Sequence, residues 1–401
     1  MVGLAGFEPT TPYTPCRCAT RLRHSPFAVS GDGRAENQGK SPLASLENRA
    51  LSALMKRIKT AIVGASGYTG QELLRLLLVH PNVELVAATS RQEAGNPLSS
   101  VFPRFRKLPG AELEFMIPDP DAIAATGVEV AFLALPHGIA AEIATAMLER
   151  NVKVIDLSAD FRLNDAAVYE EFYGHPHPAP KLLDEAVYGL PEVRAEAIQT
   201  ARLIASPGCY PTSILLPLVP LLKAGLLDAS TIVANSMSGV SGAGRKADLS
   251  LLYCECNESA RAYGIPKHRH LSEIEQELSI AAGEEVVITF IPHLIPVNSG
   301  IATTTTAKLR EGVDAAKIGE ILEKAYADAA FVRLLGQGGC ADTKNVTRTN
   351  FIDIGWTHDA RTGRIILSSA EDNLGKGAGS QAVQSMNLLF GLPETAGLQT
   401  A

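Results

Sequence analysis

Residues 58–70 read Ile-Lys-Thr-Ala-Ile-Val-Gly-Ala-Ser-Gly-Tyr-Thr-Gly, and this stretch decides the fold of the first part of the chain. An apolar, β-prone run is followed by glycines spaced G-x-x-G-x-x-G, and residues 71–78 then have the apolar face of a helix. Glycines at a strand-to-helix turn let the backbone approach a pyrophosphate, which the N–H groups of the helix N-terminus bind. A tight turn without a ligand is the alternative. We predict cofactor contacts from Gly64, Ser66, Gly67, Tyr68, Thr69 and Gly70.

The end of the next predicted strand, residues 83–89, indicates which dinucleotide binds. A site that prefers NAD usually carries an acidic residue there for the ribose 2′-hydroxyl. Here Ser90 and Arg91 follow the strand, and a hydroxyl beside a guanidinium suits a 2′-phosphate. We therefore predict NADP (NADPH) as the cofactor, bound through these two side chains. The alternative is that Arg91 is an ordinary solvated loop residue.

Two more apolar runs, residues 128–135 and 152–157, read as parallel strands separated by the helix-like run 139–150. Strands alternating with helices predict a doubly wound sheet, in which ligands bind at the carboxyl ends of the strands. Pro136, His137 and Ser158 follow these strands and are candidate cofactor contacts. A structural role for His137 fits the sequence equally well.

Composition limits the classes of partner. The 401 residues suit two domains of about 100–200 residues each. A net charge of −7 favours neither nucleic acid nor anionic lipid, and no apolar run reaches the roughly 18 residues of a membrane span. The six cysteines are scattered without a disulfide-framework spacing, which is typical of a reducing compartment. We expect a small-molecule substrate and binding to neither nucleic acid nor a membrane.

Residues 1–54 differ from the rest of the chain. They contain five prolines and show no sustained helical or strand period, whereas Met55 opens a stretch that reads like a natural protein start. The segment is either an upstream translation artefact or a transit peptide, and its acidic residues favour the artefact. We expect residues 1–54 to be disordered and outside the fold. The expected location is the cytoplasm, or an organelle if the segment is a transit peptide.

Cys209 is the candidate nucleophile. It follows a predicted strand at 202–205 within Ser-Pro-Gly-Cys-Tyr-Pro-Thr, residues 206–212, and a long apolar helical stretch comes next. Pro211 fits the first turn of a helix, so Cys209 should lie at the helix N-terminus. The helix dipole there would lower the pKa of the thiol, and free N–H groups could stabilise an oxyanion. The alternative is a buried structural cysteine.

A histidine-rich segment supplies candidate proton acceptors. Residues 265–273 contain His268 and His270, which alternate with Lys267 and Arg269, and these two cations form an electropositive patch suited to phosphate and carboxylate. Ser272 and Glu275 have the spacing of a capping box, which would place both histidines in the loop before a helix. A zinc site with Cys254 and Cys256 is conceivable, but C-x-C…H-x-H is not a common ligand spacing, and we expect no metal.

Taken together, these motifs resemble the N-acetyl-γ-glutamyl-phosphate reductases, within the aspartate-semialdehyde dehydrogenase-like group. The matching segments are 64–70, 156–162, 207–212, 238–245, 268–270 and 375–379. The resemblance implies an α/β fold with a Rossmann-type doubly wound domain and an inserted α+β catalytic domain. The implied bounds are 55–206 plus 364–401 for the NADP-binding domain and 207–363 for the catalytic and dimerisation domain. The C-terminal helix, roughly 377–390, would return to the first domain and bring Asn373 and Gly377 towards the nicotinamide.

The resemblance also implies a reaction: NADPH-dependent reduction of N-acetyl-γ-glutamyl phosphate to the semialdehyde and phosphate, in arginine biosynthesis. Cys209 would form a thioester and His268 would transfer protons. The implied substrate-binding side chains are Arg162, Arg245, His270 and Glu273, although each could be a surface or interface charge. Rival interpretations are a reductase of another acyl phosphate, a catalytically silent NADP-binding sensor and a cysteine hydrolase. We expect a homodimer or homotetramer.

Overall fold

The computed structural model describes residues 57–398, and the predictions about residues 1–54 lie outside this range. Two β-sheets organise the described residues: a sheet of six strands and a sheet of seven. Between residues 57 and 398, no helix is both long and apolar enough to cross a bilayer. The two sheets confirm the predicted fold class, a doubly wound α/β unit combined with an α+β unit.

The first sheet is formed by the apolar runs that alternate with helices in the sequence. Its strands are β1 (Ile58–Val63), β2 (Val83–Thr89), β3 (Val130–Leu133), β4 (Lys153–Asp156), β5 (Val187–Tyr188) and β6 (Leu203–Ala205). They lie in the order β2-β1-β3-β4-β6-β5, and every pair is parallel. The strand order reverses beside β1, so a ligand crevice opens at the carboxyl end of β1, where the glycine turn begins.

Helices cover both faces of this sheet, as the continuous apolar character of its strands requires. They are α1 (Tyr68–Leu77), α2 (Leu98–Val101), α3 (Pro120–Ala125), α4 (Ile139–Glu149), α5 (Ala166–Tyr173) and α6 (Pro191–Thr200). Helix α1 buries a stripe of leucines, among them Leu73 and Leu77, in the core on one face. Helix α4 buries Ala144 and Met147 on the other face. The glycine turn is thus held between a buried strand and a buried helix.

The second sheet is mixed and begins after the nucleophile segment. Its strands are β7 (Leu227–Ser238), β8 (Arg261–Ala262), β9 (Thr289–Leu294), β10 (Ile301–Leu309), β11 (Val332–Gln337), β12 (Ile352–Asp359) and β13 (Arg364–Glu371). The order is β11-β12-β13-β10-β7-β9-β8. The helices of this part are α7 (Cys209–Lys223), α8 (Tyr253–Cys256), α9 (His270–Ala282) and α10 (Lys317–Tyr326). Helix α7 packs on the centre of the sheet and against α9 and α10, so it is almost entirely buried.

Two prolines lie inside α7, and side chains replace the hydrogen bonds that they remove. Proline has no N–H, so Pro217 leaves the carbonyl of Ser213 without its helical donor, and Pro220 does the same to Leu216. The Ser369 hydroxyl donates to the Ser213 carbonyl at 2.7 Å. The Tyr326 hydroxyl donates to the Leu216 carbonyl. A buried helix can therefore contain two prolines because both orphaned carbonyls have partners.

The end of the chain returns to the first sheet. A π-helical turn (Gly375–Gly379) leads into α11 (Ser380–Leu389), which packs on α1 and α6. The predicted crossing at residue 364 is wrong, because β13 spans Arg364–Glu371 and pairs with both β12 and β10 in the second sheet. The chain leaves that sheet only after Glu371, so the crossing segment is 372–379.

Removing either replacement donor of α7 should destabilise the protein. Tyr326→Phe or Ser369→Ala leaves a buried carbonyl unpaired, and we expect each to lower the free energy of unfolding by about 1–3 kcal/mol. Chemical denaturation measures this change. Tyr253→Phe is the matched control, because Tyr253 is 78 % exposed, and it should change stability by less than about 0.5 kcal/mol. Equal stability of Tyr326→Phe and the control would contradict the account of the two prolines.

Candidate active site

The three glycines of the nucleotide turn serve different purposes. Gly64 has φ +92°, and a Cβ there would lie 2.4 Å from the Ala134 carbonyl oxygen, so only glycine fits. A Cβ on Gly70 would lie 2.6 Å from the Ala65 Cα, so this glycine lets α1 pack against the turn. Gly67 precedes α1 as its N-cap, and nothing lies closer than 3.8 Å to a Cβ built there. The space beside Gly67, at the N-terminus of α1, is where a pyrophosphate fits.

The residues predicted to bind the 2′-phosphate lie together. The Ser90 hydroxyl donates to the Ser66 hydroxyl at 3.0 Å, which joins the end of β2 to the glycine turn. Arg91 is exposed beside them. Within the described range its guanidinium has no hydrogen bond or ion pair, so its donors are available to a ligand. This placement fits the NADP prediction.

Pro136, His137 and Ser158, which follow β3 and β4, differ in their contacts. Pro136 lines the cavity beside the glycine turn. His137 stacks on His175 with 5.9 Å between ring centroids, and its Nδ1 accepts from Arg269 at 3.2 Å. The Ser158 hydroxyl donates to Asp156 Oδ2 at 2.7 Å, and the side chain is buried. His137 and Ser158 therefore use polar atoms in contacts within the protein, which for His137 is the structural alternative that the sequence left open.

Cys209 is the first residue of α7, as the sequence predicted. Its N-cap Gly208 must be glycine, since a Cβ there would lie 2.6 Å from His270 Nε2 and 2.7 Å from Glu273 Oε1. On the other side, a Cβ on Gly377 would lie 2.8 Å from the Cys209 Cβ. The nucleophile is therefore enclosed between the imidazole of His270 and the π-helical turn.

A buried ion pair holds the turn before Cys209. Glu273 is 1 % exposed and accepts hydrogen bonds from Arg162 Nη1 at 3.0 Å, the Tyr188 hydroxyl at 2.9 Å and the Gly208 N–H at 3.2 Å. Arg162 also donates through Nε to the Ser206 carbonyl at 2.8 Å. The expectation that Arg162 and Glu273 bind substrate stays a prediction, since Arg162 also lines a cavity beside Cys209. Their charges already satisfy each other, and they position the nucleophile turn.

The pKa of the Cys209 thiol is raised in the structure, whereas the sequence predicted that it would be lowered. Burial, reinforced by the Glu371 carboxyl, raises the pKa of the thiol to about 12, while Arg162 and the Tyr210 N–H offset this only in part. This direction is opposite to the one expected from the helix dipole, because the lost hydration of a buried thiolate outweighs the dipole. At neutral pH the thiol is protonated, and catalysis needs a base.

Helix α9 begins at His270, two residues before the predicted cap. Its N-cap is Arg269, the Ser272 hydroxyl donates to the Arg269 carbonyl at 2.9 Å, and Glu275 accepts from the Ile288 N–H. The capping-box prediction is therefore wrong: Ser272 and Glu275 lie inside the helix. Only the first of the two histidines remains in the preceding loop.

The two histidines have different surroundings. His268 packs edge-on against Tyr210, Tyr263 and Phe290, and its Nδ1 accepts from the His270 N–H at 3.1 Å. Burial lowers the pKa of His268 to about 4 and that of His270 well below its ordinary value. His270 lines both cavities that adjoin Cys209, whereas His268 lines one. The structure thus places His270, and not His268, at the junction.

One of these cavities has about 500 Å³ and a cationic wall. Cys209, His268 and His270 line it together with Lys246, Arg261 and Arg269. The sequence predictions missed Lys246 and Arg261 as site residues, whereas Arg269 belongs to the electropositive patch predicted beside the histidines. Their sequence signal was only the basic character of the segments around Arg245 and His268. Asp248 also lines this cavity and pairs with Lys246 at 2.8 Å, so the cations exceed the carboxylates by two. This excess suits a substrate with more than one negative charge.

The other cavity, of about 390 Å³, joins Cys209 to the nucleotide turn. It collects predicted residues that are far apart in sequence, including Gly67, Arg245, Asn373 and Gly377. Arg245 donates to the Ser66 carbonyl at 3.1 Å, so it lies over the nucleotide turn and not in the cationic cavity. Asn373 is buried, accepts from the Gly300 N–H and donates to the Ser241 hydroxyl. Its amide therefore fixes the crossing segment.

Over residues 57–398 the structure contains no group of three or more side chains that could hold a metal ion. Cys254 is exposed, and the Cys256 thiol donates to the Ser250 carbonyl at 3.3 Å. Neither thiol lines the cavities beside Cys209.

Comparison with known proteins agrees with this arrangement. Residues 59–201 match the family model of the semialdehyde dehydrogenase NAD-binding domain, and residues 209–373 match that of the semialdehyde dehydrogenase dimerisation domain. The chain is 66 % identical over 344 residues to the N-acetyl-γ-glutamyl-phosphate reductase of Akkermansia muciniphila, which covers 86 % of this chain and 99 % of that protein. It is 50 % identical over 343 residues to the Geobacter metallireducens protein of the same name, covering 85 % and 98 %.

Solved structures show the same fold at low identity. Aspartate semialdehyde dehydrogenase II from Vibrio cholerae superposes with a TM-score of 0.64 at 19 % identity, covering 84 % of this chain and 99 % of that one. The Candida albicans aspartate semialdehyde dehydrogenase, solved with NADP, gives a TM-score of 0.62 at 14 % identity, with 84 % and 99 % covered. At these identities the likeness shows the fold alone.

The raised thiol pKa predicts slow alkylation of Cys209 in the free protein. Its reaction with iodoacetamide should be slow at pH 7 and should accelerate by about tenfold per pH unit up to pH 10, because the thiolate is the nucleophile. Peptide mapping by mass spectrometry measures the rate at each cysteine. The exposed Cys254 is the reference, and it should react faster than Cys209 at pH 7. A rate at Cys209 that levels off below pH 8 would show that the thiol pKa is not raised.

Proposed function

The chain belongs to the N-acetyl-γ-glutamyl-phosphate reductase family, and we propose that it catalyses the NADPH-dependent reduction of N-acetyl-γ-glutamyl phosphate. The products are N-acetylglutamate 5-semialdehyde and phosphate, and the reaction belongs to arginine biosynthesis. The observation that carries the proposal is the position of Cys209. It opens a buried helix between a cavity walled by the nucleotide turn and a cavity walled by three cations.

The nucleotide turn fits the cofactor. Gly64 and Gly70 allow the tight turn, the N-terminus of α1 offers N–H groups beside Gly67, and Arg91 has unused donors for a 2′-phosphate. Arg245, held on the Ser66 carbonyl, adds a positive charge beside the pyrophosphate position. When bound, NADPH supplies the hydride that reduces the acyl group on the enzyme.

Cys209 carries the covalent chemistry. Its sulfur attacks the γ-carbonyl carbon of the acyl phosphate, a carbon–sulfur bond forms, and the carbon–oxygen bond to phosphate breaks. Phosphate leaves and a thioester remains. After reduction, the thiohemiacetal loses its carbon–sulfur bond, which releases the aldehyde and restores the thiol. The free N–H groups at the start of α7 are suitably placed to stabilise the oxyanions of both steps.

We assign the proton transfer to His270 instead of His268. His270 Nε2 lies against Gly208, next to the nucleophile, and the ring lines both cavities. His268 helps to position His270, because its Nδ1 accepts a hydrogen bond from the backbone N–H of His270 and its ring packs in an aromatic cluster. Because burial keeps the Cys209 thiol protonated and lowers the pKa of His270, a stored ion pair is disfavoured. Proton transfer to Nε2 therefore accompanies the attack.

The negatively charged groups of the substrate bind in the cationic cavity. Lys246, Arg261 and Arg269 line it and supply donors for the acyl phosphate and the α-carboxylate. We propose them as substrate ligands ahead of Arg162 and Glu273, because that pair is used in holding the nucleophile turn. His270 borders the same cavity and contacts the reacting group.

We further propose a homodimer or homotetramer in the cytoplasm. The match of residues 209–373 to a dimerisation domain supports self-association. The four cysteines between residues 57 and 398 are free thiols, which suits a reducing compartment.

The reverse reaction tests the function. Wild-type protein with N-acetylglutamate semialdehyde, phosphate and NADP should form NADPH, measured by nicotinamide absorbance, and omission of phosphate should abolish the signal. Cys209→Ala should be inactive because the thioester cannot form. His270→Asn should lower kcat by about 10²–10⁴-fold, the usual contribution of a general base, and the matched His268→Asn by much less.

Each result of this assay has a distinct meaning. NADP binding without turnover in wild-type protein would favour a cofactor-binding sensor or another acyl-phosphate substrate. A larger loss in His268→Asn than in His270→Asn would reverse the assignment of the two histidines.

Exchange of Arg91 tests the cofactor preference. Arg91→Asp should lower the ratio of kcat/KM for NADP to that for NAD by about 10–100-fold, because a charge-assisted bond to the 2′-phosphate is lost and the carboxylate repels it. Arg106→Gln, at an exposed arginine outside the cavities, is the control and should leave the ratio unchanged. An unchanged ratio in Arg91→Asp would remove Arg91 from the cofactor site.

A further inference from the structure

A third cavity lies beside the active site and contains none of its reacting residues. It has a volume of about 610 Å³, larger than either cavity at Cys209. Its walls are α1, the 3₁₀ turn Pro103–Phe105, the segment 240–251 and Arg348. We call it the outer cavity. Cys209, His268 and His270 do not line it. Of the ligands proposed above, it shares Lys246 with the cationic cavity and Tyr68 with the nucleotide turn.

The charges around the outer cavity do not balance. Arg75, Arg104, Lys246 and Arg348 line it, against two carboxylates, those of Glu72 and Asp372. Glu72 forms an ion pair with Arg75, its neighbour on α1.

Asp372 keeps its negative charge, and its oxygens accept from the backbone N–H groups of Arg348, Leu374 and Gly375 at 2.7–2.9 Å. The four cations of the outer cavity therefore exceed its two carboxylates by two. Lys246 pairs with Asp248 at 2.8 Å, so within residues 57–398 the two cations of this cavity without an ion pair are Arg104 and Arg348.

Arg348 has an unusual backbone for its residue type. Its φ is +65°, the left-handed region that costs a residue with a Cβ about 1–2 kcal/mol. The bond from its N–H to Asp372 maintains this conformation. Within residues 57–398 its guanidinium forms no hydrogen bond or ion pair. Arg348 is exposed on the cavity wall, so its donors are available to a ligand in the outer cavity.

The outer cavity adjoins the cavity in which phosphate is released. Lys246 and Leu251 line both. The Lys246 ammonium is thus the shared cation, with the nucleophile on one side and the guanidinium groups of Arg104 and Arg348 on the other. Lys246 thus connects the cavity at Cys209 with the cavity that Arg104 and Arg348 line.

We propose that the outer cavity is a second phosphate site, which receives inorganic phosphate from the reaction cavity through Lys246. In the reverse direction it supplies phosphate to the thioester. The assignment of phosphate rests on the proposed function, since that reaction releases it, whereas the binding of an oxyanion rests on the charges of the cavity alone. Arg104 and Arg348 are the ligands.

Two substitutions remove the unpaired charges with little change to the fold. Arg104→Gln keeps a polar side chain, and Arg348→Asn suits the left-handed backbone, which asparagine adopts more readily than most residues. The matched control is the double variant Arg106→Gln with Lys344→Gln. Arg106 and Lys344 are exposed cations close in sequence to the tested residues, and neither lines a cavity described above.

The first measurement needs no turnover. In a Cys209→Ala background, inorganic phosphate is titrated and followed by ³¹P nuclear magnetic resonance. We expect two phosphates per chain, one in each cavity, and one per chain after Arg104→Gln and Arg348→Asn are added. The control double variant should keep two. A stoichiometry that the arginine variants leave unchanged would overturn the proposal.

The second measurement uses the reverse reaction. The arginine double variant should raise KM for phosphate at least fivefold, with KM for the aldehyde and for NADP unchanged. A joint rise of all three constants would indicate a structural role for the arginines and would overturn the site. If the wild-type protein shows no turnover but the titration loses one phosphate, the oxyanion site stands and the proposed reaction fails.

Discussion

The active site depends on the buried ion pair between Arg162 and Glu273. Arg162 follows β4 of the first sheet and Glu273 lies in α9, yet both bind the short turn before Cys209: Arg162 through the Ser206 carbonyl and Glu273 through the Gly208 N–H. Burying two charges is costly unless their partners are complete, and here the Tyr188 hydroxyl and the Leu157 carbonyl complete the set. The nucleophile is positioned where the two halves of the fold meet because this network joins them.

Close packing at glycines then brings the reacting groups together. Gly208 admits the His270 ring on one side of Cys209, and Gly377 admits the π-helical turn on the other. The same turn carries Lys376, which is fully buried and paired with Glu192 at 2.6 Å. A side chain at either glycine would displace the histidine or the crossing segment. The geometry of the site therefore depends on the absence of a side chain at Gly208 and Gly377 as much as on the functional groups.

Local patterns were enough to predict the parallel sheet, the glycine turn and the position of Cys209 at a helix start, since strand, turn and helix signals are contiguous in sequence. They could not show that Arg162 and Glu273, 111 residues apart, neutralise each other, or that Arg261 reaches the cavity at Cys209. The crossing at 364 was misplaced because β13 is half of an antiparallel pair with β12, which only the sheet reveals. The start of α9 was misplaced because Ser272 bonds the Arg269 carbonyl and Glu275 bonds the Ile288 N–H, and the spacing of the two residues does not reveal these partners.

Charge is distributed so that the resting site is neutral at the nucleophile and positive where substrate enters. Burial raises the pKa of the Cys209 thiol and lowers the pKa of both neighbouring histidines, which disfavours a thiolate–imidazolium ion pair in the turn. The cations, by contrast, line the cavity at Cys209: Lys246 and Arg269 are exposed and Arg261 is half-buried. An anionic substrate is attracted to these charges before the thiol loses its proton. In the proposed mechanism the substrate therefore binds first, and the Cys209 thiol loses its proton only when the acyl phosphate is already beside it.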